Sequence, residues 1–209
     1  MKAFTTLLIL VSSIYYIFYF DAGQSLATVI FKLTPMLLII FYSLFYYRKV
    51  RKYLAIVLGL IVCMIADGVI VYSFLGGLIV FLTGHIFYLY AFLKISVNKR
   101  KSGIVSFPFL IYMTIMGYLL ISAMVDSGET ALVIPVILYI LVIGFMGITA
   151  VWTNDKYAMI GAILFIISDS FLAWNMFVES ISYSHVWIMT TYYGAQFFIA
   201  TSIGYFNKR

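Results

Sequence analysis

From Tyr53 to Leu93 the chain carries a single charged side chain, Asp67. A helix rises 1.5 Å per residue and crosses the hydrocarbon core of a bilayer in about 20 residues. This run is therefore too long for one crossing and too apolar for a soluble surface. The whole sequence behaves the same way. Of its 209 residues, 65% are hydrophobic and only 10% are charged, against about 25% charged in an ordinary soluble domain. So few charges cannot cover a soluble core, and no stretch is polar enough to form a separate soluble catalytic domain. The chain reads as one all-α, polytopic membrane domain, residues 1–209, whose chemistry takes place in or at the bilayer.

Eight segments are long and apolar enough to span: about 3–20, 27–47, 53–74, 77–97, 104–124, 130–151, 157–178 and 186–206. Continuous apolar runs without strict alternation argue for helices rather than a barrel. The connectors carry turn residues, as in "FDAGQS", "VNKRKSG", "VDSGET" and "WTNDKY". In the run from Tyr53 the break is expected at Gly76–Gly77. The first segment follows Lys2 and is too long for a signal peptide, and it has no A-x-A site, so it is expected to be the first span.

The charges orient the bundle. With the N-terminus inside, the inner side receives Lys2, Arg48, Lys49, Arg51, Lys52, Lys94, Lys99, Arg100, Lys101, Lys156, Lys208 and Arg209, twelve of the thirteen basic residues. The outer loops receive Asp21, Asp126, Glu129 and Glu179. This is the positive-inside pattern, with both termini cytoplasmic. It accounts for the net charge of +6 without nucleic acid. Membrane lipids are the expected neighbours of these residues. The sequence leaves the oligomeric state open.

Two pairs repeat at similar spacing. Pro35 and Pro135 fall in spans two and six, and Asp67 and Asp169 in spans three and seven, each Asp between small residues. The pattern is consistent with a 4+4 parallel internal repeat.

The ionisable residues left inside the spans are Lys32, Asp67, His85 and Asp169. A buried Asp or Lys costs roughly 2.5–3.5 kcal/mol at a helix centre on insertion scales, which makes such residues functional candidates. Counting from the span ends puts Asp67, Asp169 and Lys32 about 21, 18 and 22 Å from the inner face. His85 and Gln196 lie about 12 and 15 Å from the outer face. All five fall between the midplane and the outer third, as expected for one polar cavity. Tyr88, one turn from His85, and Tyr192 and Tyr193, one turn before Gln196, are expected to line it. Structural roles compete with this reading. Lys32 can snorkel outward or pair with an aspartate, His85 can be a packed core histidine, and Gln196 and the tyrosines can be interhelical hydrogen bonds.

The chemistry open to such a cavity is narrow. Catalytic zinc wants three protein ligands, but the spans hold one histidine, and His185 is assigned to an outer loop. There is no G-x-S-x-G elbow and no P-loop. Neither metal nor cofactor is expected. The one cysteine, Cys63, is read as buried filler. What remains is a carboxylate pair withdrawn from water. In such a pair one acid can donate a proton while the other stabilises a cation or activates water. The same pair can relay protons in a transporter of small solutes or lipids.

Several segments resemble the YhhN-like membrane proteins, whose characterised members are lysoplasmalogenases. They are "FKLTPMLL" (31–38), "IADG" (65–68), "GGLIVFLTGHIFYLYAF" (76–92), "ISDSFLA" (167–173) and "YYGAQFFIATS" (192–202). Family members often carry Lys-Pro-x-Pro in span two, where this chain has Lys32-Leu33-Thr34-Pro35. The resemblance implies an eight-helix bundle and an ether hydrolase. Its reaction cleaves the vinyl ether of a lysophospholipid, releasing a fatty aldehyde and a glycerophospho-alcohol, with no known metal requirement. It implies catalytic roles for Asp67 and Asp169, a phosphate contact for Lys32, and orienting roles for His85, Tyr88, Tyr192, Tyr193 and Gln196. Which aspartate is the acid stays open.

Overall fold

The computed structural model describes residues 2–20, 25–46, 53–96 and 102–206. Nine of the basic residues used for orientation (Arg48, Lys49, Arg51, Lys52, Lys99, Arg100, Lys101, Lys208 and Arg209) and Asp21 lie outside the described residues. Among the described residues there are eight α-helices and no strand: α1 (Lys2–Tyr19), α2 (Leu26–Tyr46), α3 (Leu54–Val69), α4 (Phe74–Ile95), α5 (Ser102–Asp126), α6 (Val133–Trp152), α7 (Lys156–Phe177) and α8 (Ser184–Phe206). Six of them, α1, α2 and α4 to α7, are long and apolar enough to cross a membrane.

The break in the long apolar run is not where the glycines suggest. Gly76 and Gly77 lie inside α4, and the chain turns at residues 70–73. Ser73 adopts an extended backbone, and its side chain accepts the Gly76 N–H at 3.1 Å. An N-cap that satisfies an orphan donor starts a helix more effectively than glycine stops one. Gly77 serves packing instead, since a Cβ there would collide with Ile70. The consequence is that α3 ends at Val69 rather than near residue 74. At 16 residues it is about 24 Å long, short of the ~30 Å core, and Asp67 stands two residues from its end.

Other ends follow the same logic. Asp155 caps α7 by accepting the Ala158 N–H at 2.7 Å. Pro135 sits in the first turn of α6, where its missing N–H costs nothing. Pro35 sits inside α2 and removes the bond to the Phe31 carbonyl, next to Lys32.

The most extensive packing joins α3 to α4 and α7 to α8. Glycine permits both approaches. A Cβ at Gly84 would meet the Cys63 sulfur at 2.6 Å, and one at Gly161 would meet the Ile199 backbone nitrogen at 2.9 Å. Small residues at such contacts let helix backbones come close where lipid supplies no hydrophobic drive. The outside is apolar, with Phe4, Leu37, Ile65, Tyr118 and Ile134 exposed, whereas Lys32, Asp67, His85 and Gln196 are buried. An apolar surface with the few charged and polar side chains turned inward suits hydrocarbon as solvent. Together with the six long apolar helices, it makes this a multi-pass membrane protein.

Candidate functional site

Asp67 and Asp169 line the same cavity, of about 300 Å³. Asp67 reaches it from the end of α3 and Asp169 from the middle of α7. Lys32 from α2 and Tyr192 from α8 complete its inner end, and Thr28, Asn175 and His185 line it further out. Apolar side chains, among them Phe74, Leu172, Met176 and Ile188, form the remaining walls.

Asp67 is held on both oxygens. Lys32 Nζ lies 3.6 Å from Oδ1, and the Tyr192 hydroxyl donates to Oδ2 at 2.5 Å. Lys32 is fixed in turn by its backbone. The Tyr193 hydroxyl donates to the Lys32 carbonyl at 2.8 Å, in the stretch of α2 that Pro35 loosens. The Lys32 and Asp67 side chains are only 10% and 3% exposed. A buried ion pair of this kind survives only when further hydrogen bonds satisfy its members, as Tyr192 does here.

Asp169 has a different set of partners. Tyr139 from α6 donates to Oδ2 at 2.6 Å, and His85 Nε2 lies 4.0 Å from the same oxygen. His85 is fully buried between the rings of Phe165 and Tyr139, at centroid distances of 4.4 and 5.3 Å. Neither of its nitrogens makes a hydrogen bond of good geometry. Next along α7, Ser170 pairs with the Tyr112 hydroxyl at 2.7 Å. Asp169 also borders a second, smaller cavity, a narrow apolar slot of about 40 Å³ among α4, α5, α6 and α7. Tyr139, Ile140, Ile143, Met116 and Leu120 line the slot. The two cavities share Ile70, Phe74, Phe81, Asp169 and Leu172 as their common wall.

The other sequence candidates divide. Tyr192 touches both the cavity and Asp67. His85, Tyr88, Tyr193 and Gln196 do not line the cavity. Tyr88 and Gln196 form a separate buried pair behind it, with the Tyr88 hydroxyl donating to Gln196 Oε1 at 2.6 Å. His185, assigned to an outer loop from the sequence, is the second residue of α8 and lines the cavity, its ring packed on Tyr16 at 5.3 Å. Tyr139 is the notable addition. With 18 tyrosines in the chain, nothing in one sequence marks it. It shares one face of α6 with Val136 and Ile143, which line the slot with it.

Chemically, the arrangement offers one carboxylate beside a cation and a second against a hydrocarbon-lined slot, in a space large enough for part of a lipid. Residues 27–203 match the YhhN family. Human lysoplasmalogenase TMEM86B (Homo sapiens) is 29% identical over 153 residues, which cover 72% of this chain and 64% of that protein. The rat protein of the same name (Rattus norvegicus) is 27% identical over 198 residues, covering 93% of this chain and 81% of its own length. The mouse protein (Mus musculus) is 30% identical over 148 residues, 69% of this chain and 61% of its own length. The chain thus spans less than two thirds of the human and mouse relatives. No solved structure gives a significant match. The family match runs from α2 nearly to the end of α8, and every cavity-lining residue except Tyr16 falls within it: the chain belongs to the YhhN family.

Proposed function

We propose that the protein is a membrane ether hydrolase of the lysoplasmalogenase type. It cleaves the vinyl ether bond of a lysoplasmalogen to a fatty aldehyde and a glycerophospho-alcohol. The observation that carries this reading is the meeting of Asp67, Asp169 and Lys32 at one cavity, two of them from the consecutive helices α2 and α3 and the third from the distant α7. Vinyl ether hydrolysis needs a proton delivered to carbon, which a positioned carboxylic acid supplies. It passes through an oxocarbenium ion, which a carboxylate stabilises in a low-dielectric site. Lys32 is the cation available for the phosphate, and the apolar walls suit the hydrocarbon. The names of the relatives support the same activity.

The test is aldehyde release from a lysoplasmalogen by the purified protein in detergent. Wild type should turn over, whereas Asp67→Asn and Asp169→Asn should lose most of the activity while eluting as folded protein. A carrier using the same cavity would release no aldehyde, because transport cleaves no bond. Wild-type protein without turnover would defeat the enzymatic reading.

The same reading treats residues 1–209 as one transmembrane domain in which α3 and α8 also cross, with both termini inside and two four-helix halves in parallel. The dominance of the α3–α4 and α7–α8 contacts, one pair in each half, supports the repeat. Glu179→Cys tests the orientation, because the native Cys63 is buried. The introduced thiol should react with a membrane-impermeant maleimide from outside intact cells. Labelling only after permeabilisation would invert the topology.

A further inference from the structure

The two carboxylates differ in what lies on their far sides, and the substrate has an order of groups that can be laid against this difference. A lysoplasmalogen runs from phosphate through glycerol and ether oxygen to the two vinyl carbons, then the hydrocarbon tail. The cavity runs from Lys32 and Asp67 to Asp169, and beyond Asp169 lies the apolar slot. Resting on the hydrolase reading above, we propose that the slot behind Asp169 takes the start of the alkenyl tail. Asp169 is then the acid that protonates the vinyl carbon, and Asp67 is the carboxylate that faces the oxocarbenium ion and its attacking water.

The regiochemistry decides the roles. In a vinyl ether the proton adds to the carbon away from oxygen, which is the carbon attached to the tail. Positive charge develops on the carbon bonded to oxygen, on the glycerol side. The acid must stand on the tail side, and of the two carboxylates only Asp169 borders the slot. The stabilising carboxylate must stand on the glycerol side and stay ionised, and Asp67 has Lys32 at 3.6 Å and the Tyr192 hydroxyl as partners. Among the described residues no lysine or arginine lies within ion-pair distance of Asp169. Its neighbours are Tyr139 from α6 and His85 from α4, Tyr112 acting through Ser170 from α5, and Asp67 across the cavity. Asp67 faces Lys32, Tyr192, Tyr16 and His185.

The steps balance. Asp169 gives its proton to the tail-side carbon. The π pair of the double bond forms the new C–H bond, and an oxygen lone pair forms the C=O⁺ bond. Water adds to the oxygen-bound carbon and passes a proton to Asp67. The hemiacetal hydroxyl returns a proton to Asp169. The C–O bond to glycerol breaks, and the departing oxygen takes the proton from Asp67. Both carboxyl groups end as they began, and the products are one aldehyde and one alcohol.

At about 40 Å³ the slot holds the first carbons of a tail rather than a whole chain. The experiment follows from that. Ile143 lines the slot and not the larger cavity. Ile143→Phe should lower kcat/KM at least tenfold for a lysoplasmalogen with a long alkenyl chain. It should change kcat/KM less than threefold for the ethenyl analogue, which has the vinyl ether and no tail. Equal losses on both substrates, or no loss on either, would overturn the slot. The acid assignment is read from pH profiles of the residual activity in the holoprotein. An essential acid imposes the alkaline limb and an essential base the acidic one. Asp169→Asn should lose the alkaline limb, Asp169→Glu should keep it, and Asp67→Asn should lose the acidic limb. The reverse pattern would exchange the roles. If Asp67→Asn does not fold, the Asp169 pair and the Ile143→Phe comparison still decide. Wild-type protein inactive on both substrates would defeat the hydrolase reading itself, whereas active wild type with the wrong selectivity or limbs defeats only this assignment.

Discussion

Asp67 and Asp169 sit on α3 and α7, between small residues and at the wall of one cavity, but their surroundings differ in charge. Asp67 is balanced by a lysine and a tyrosine. Asp169 has a tyrosine, an uncommitted histidine nitrogen and a hydrocarbon slot. The same side chain on two helices can thus be kept for opposite tasks, because the role of a carboxyl group is set by its partners. In each case the preceding helix supplies a partner, Lys32 from α2 and Tyr139 from α6. A cation stands beside Asp67, whereas a hydroxyl stands beside Asp169.

The most severe way to break the comparison is to remove either carboxyl. Asp67→Asn and Asp169→Asn should each lower aldehyde release by about 10²–10⁴-fold, the usual range for a positioned acid or base, measured as initial rates on folded protein. Next comes the ion pair. Lys32→Met leaves a buried carboxylate without its cation, a change that costs about 3–5 kcal/mol and should lower the thermal midpoint in detergent. Lys32→Met combined with Asp67→Asn removes both charges and should recover most of that midpoint while remaining inactive. Failure to recover would mean that Lys32 is held by something other than Asp67.

A smaller change compares the two tyrosines directly. A hydrogen bond between neutral groups contributes about 0.5–1.5 kcal/mol. Tyr139→Phe removes the hydroxyl that orients Asp169 and should lower kcat by up to about tenfold. Tyr192→Phe leaves Asp67 with Lys32 and should cost less. A larger loss from Tyr192→Phe would reverse the contrast drawn between the two sites. The smallest effect is expected behind the cavity. Tyr88→Phe breaks the buried bond to Gln196 and should cost about 1 kcal/mol of stability, with kcat and KM within about threefold of wild type. A large kinetic defect there would bring Tyr88 and Gln196 into the chemistry.

Much of this architecture is legible in the chain. Helix number, helical class and the scarcity of intramembrane charge follow from hydrophobic run length, because a bilayer accepts few backbone solutions. Lys32, Asp67 and Asp169 stand out from sequence alone, because each charge in an apolar run demands an explanation. The exact breaks are less visible. The end of α3 depends on a Ser73 cap competing with a Gly-Gly pair, and it leaves Asp67 near a turn rather than mid-helix. Tyr139 and His185 are invisible for another reason: tyrosine is abundant throughout, and the start of α8 reads as loop. The grouping of Tyr88 with Gln196, away from the cavity, depends on which faces of α4 and α8 meet. The sequence by itself determined that Asp67 and Asp169 lie within apolar helices, since the length of each hydrophobic run sets where a helix falls along the chain. Only the tertiary structure decided that one acid meets a lysine and the other an apolar slot, because rotation about each helix axis is set by how the helices pack against one another.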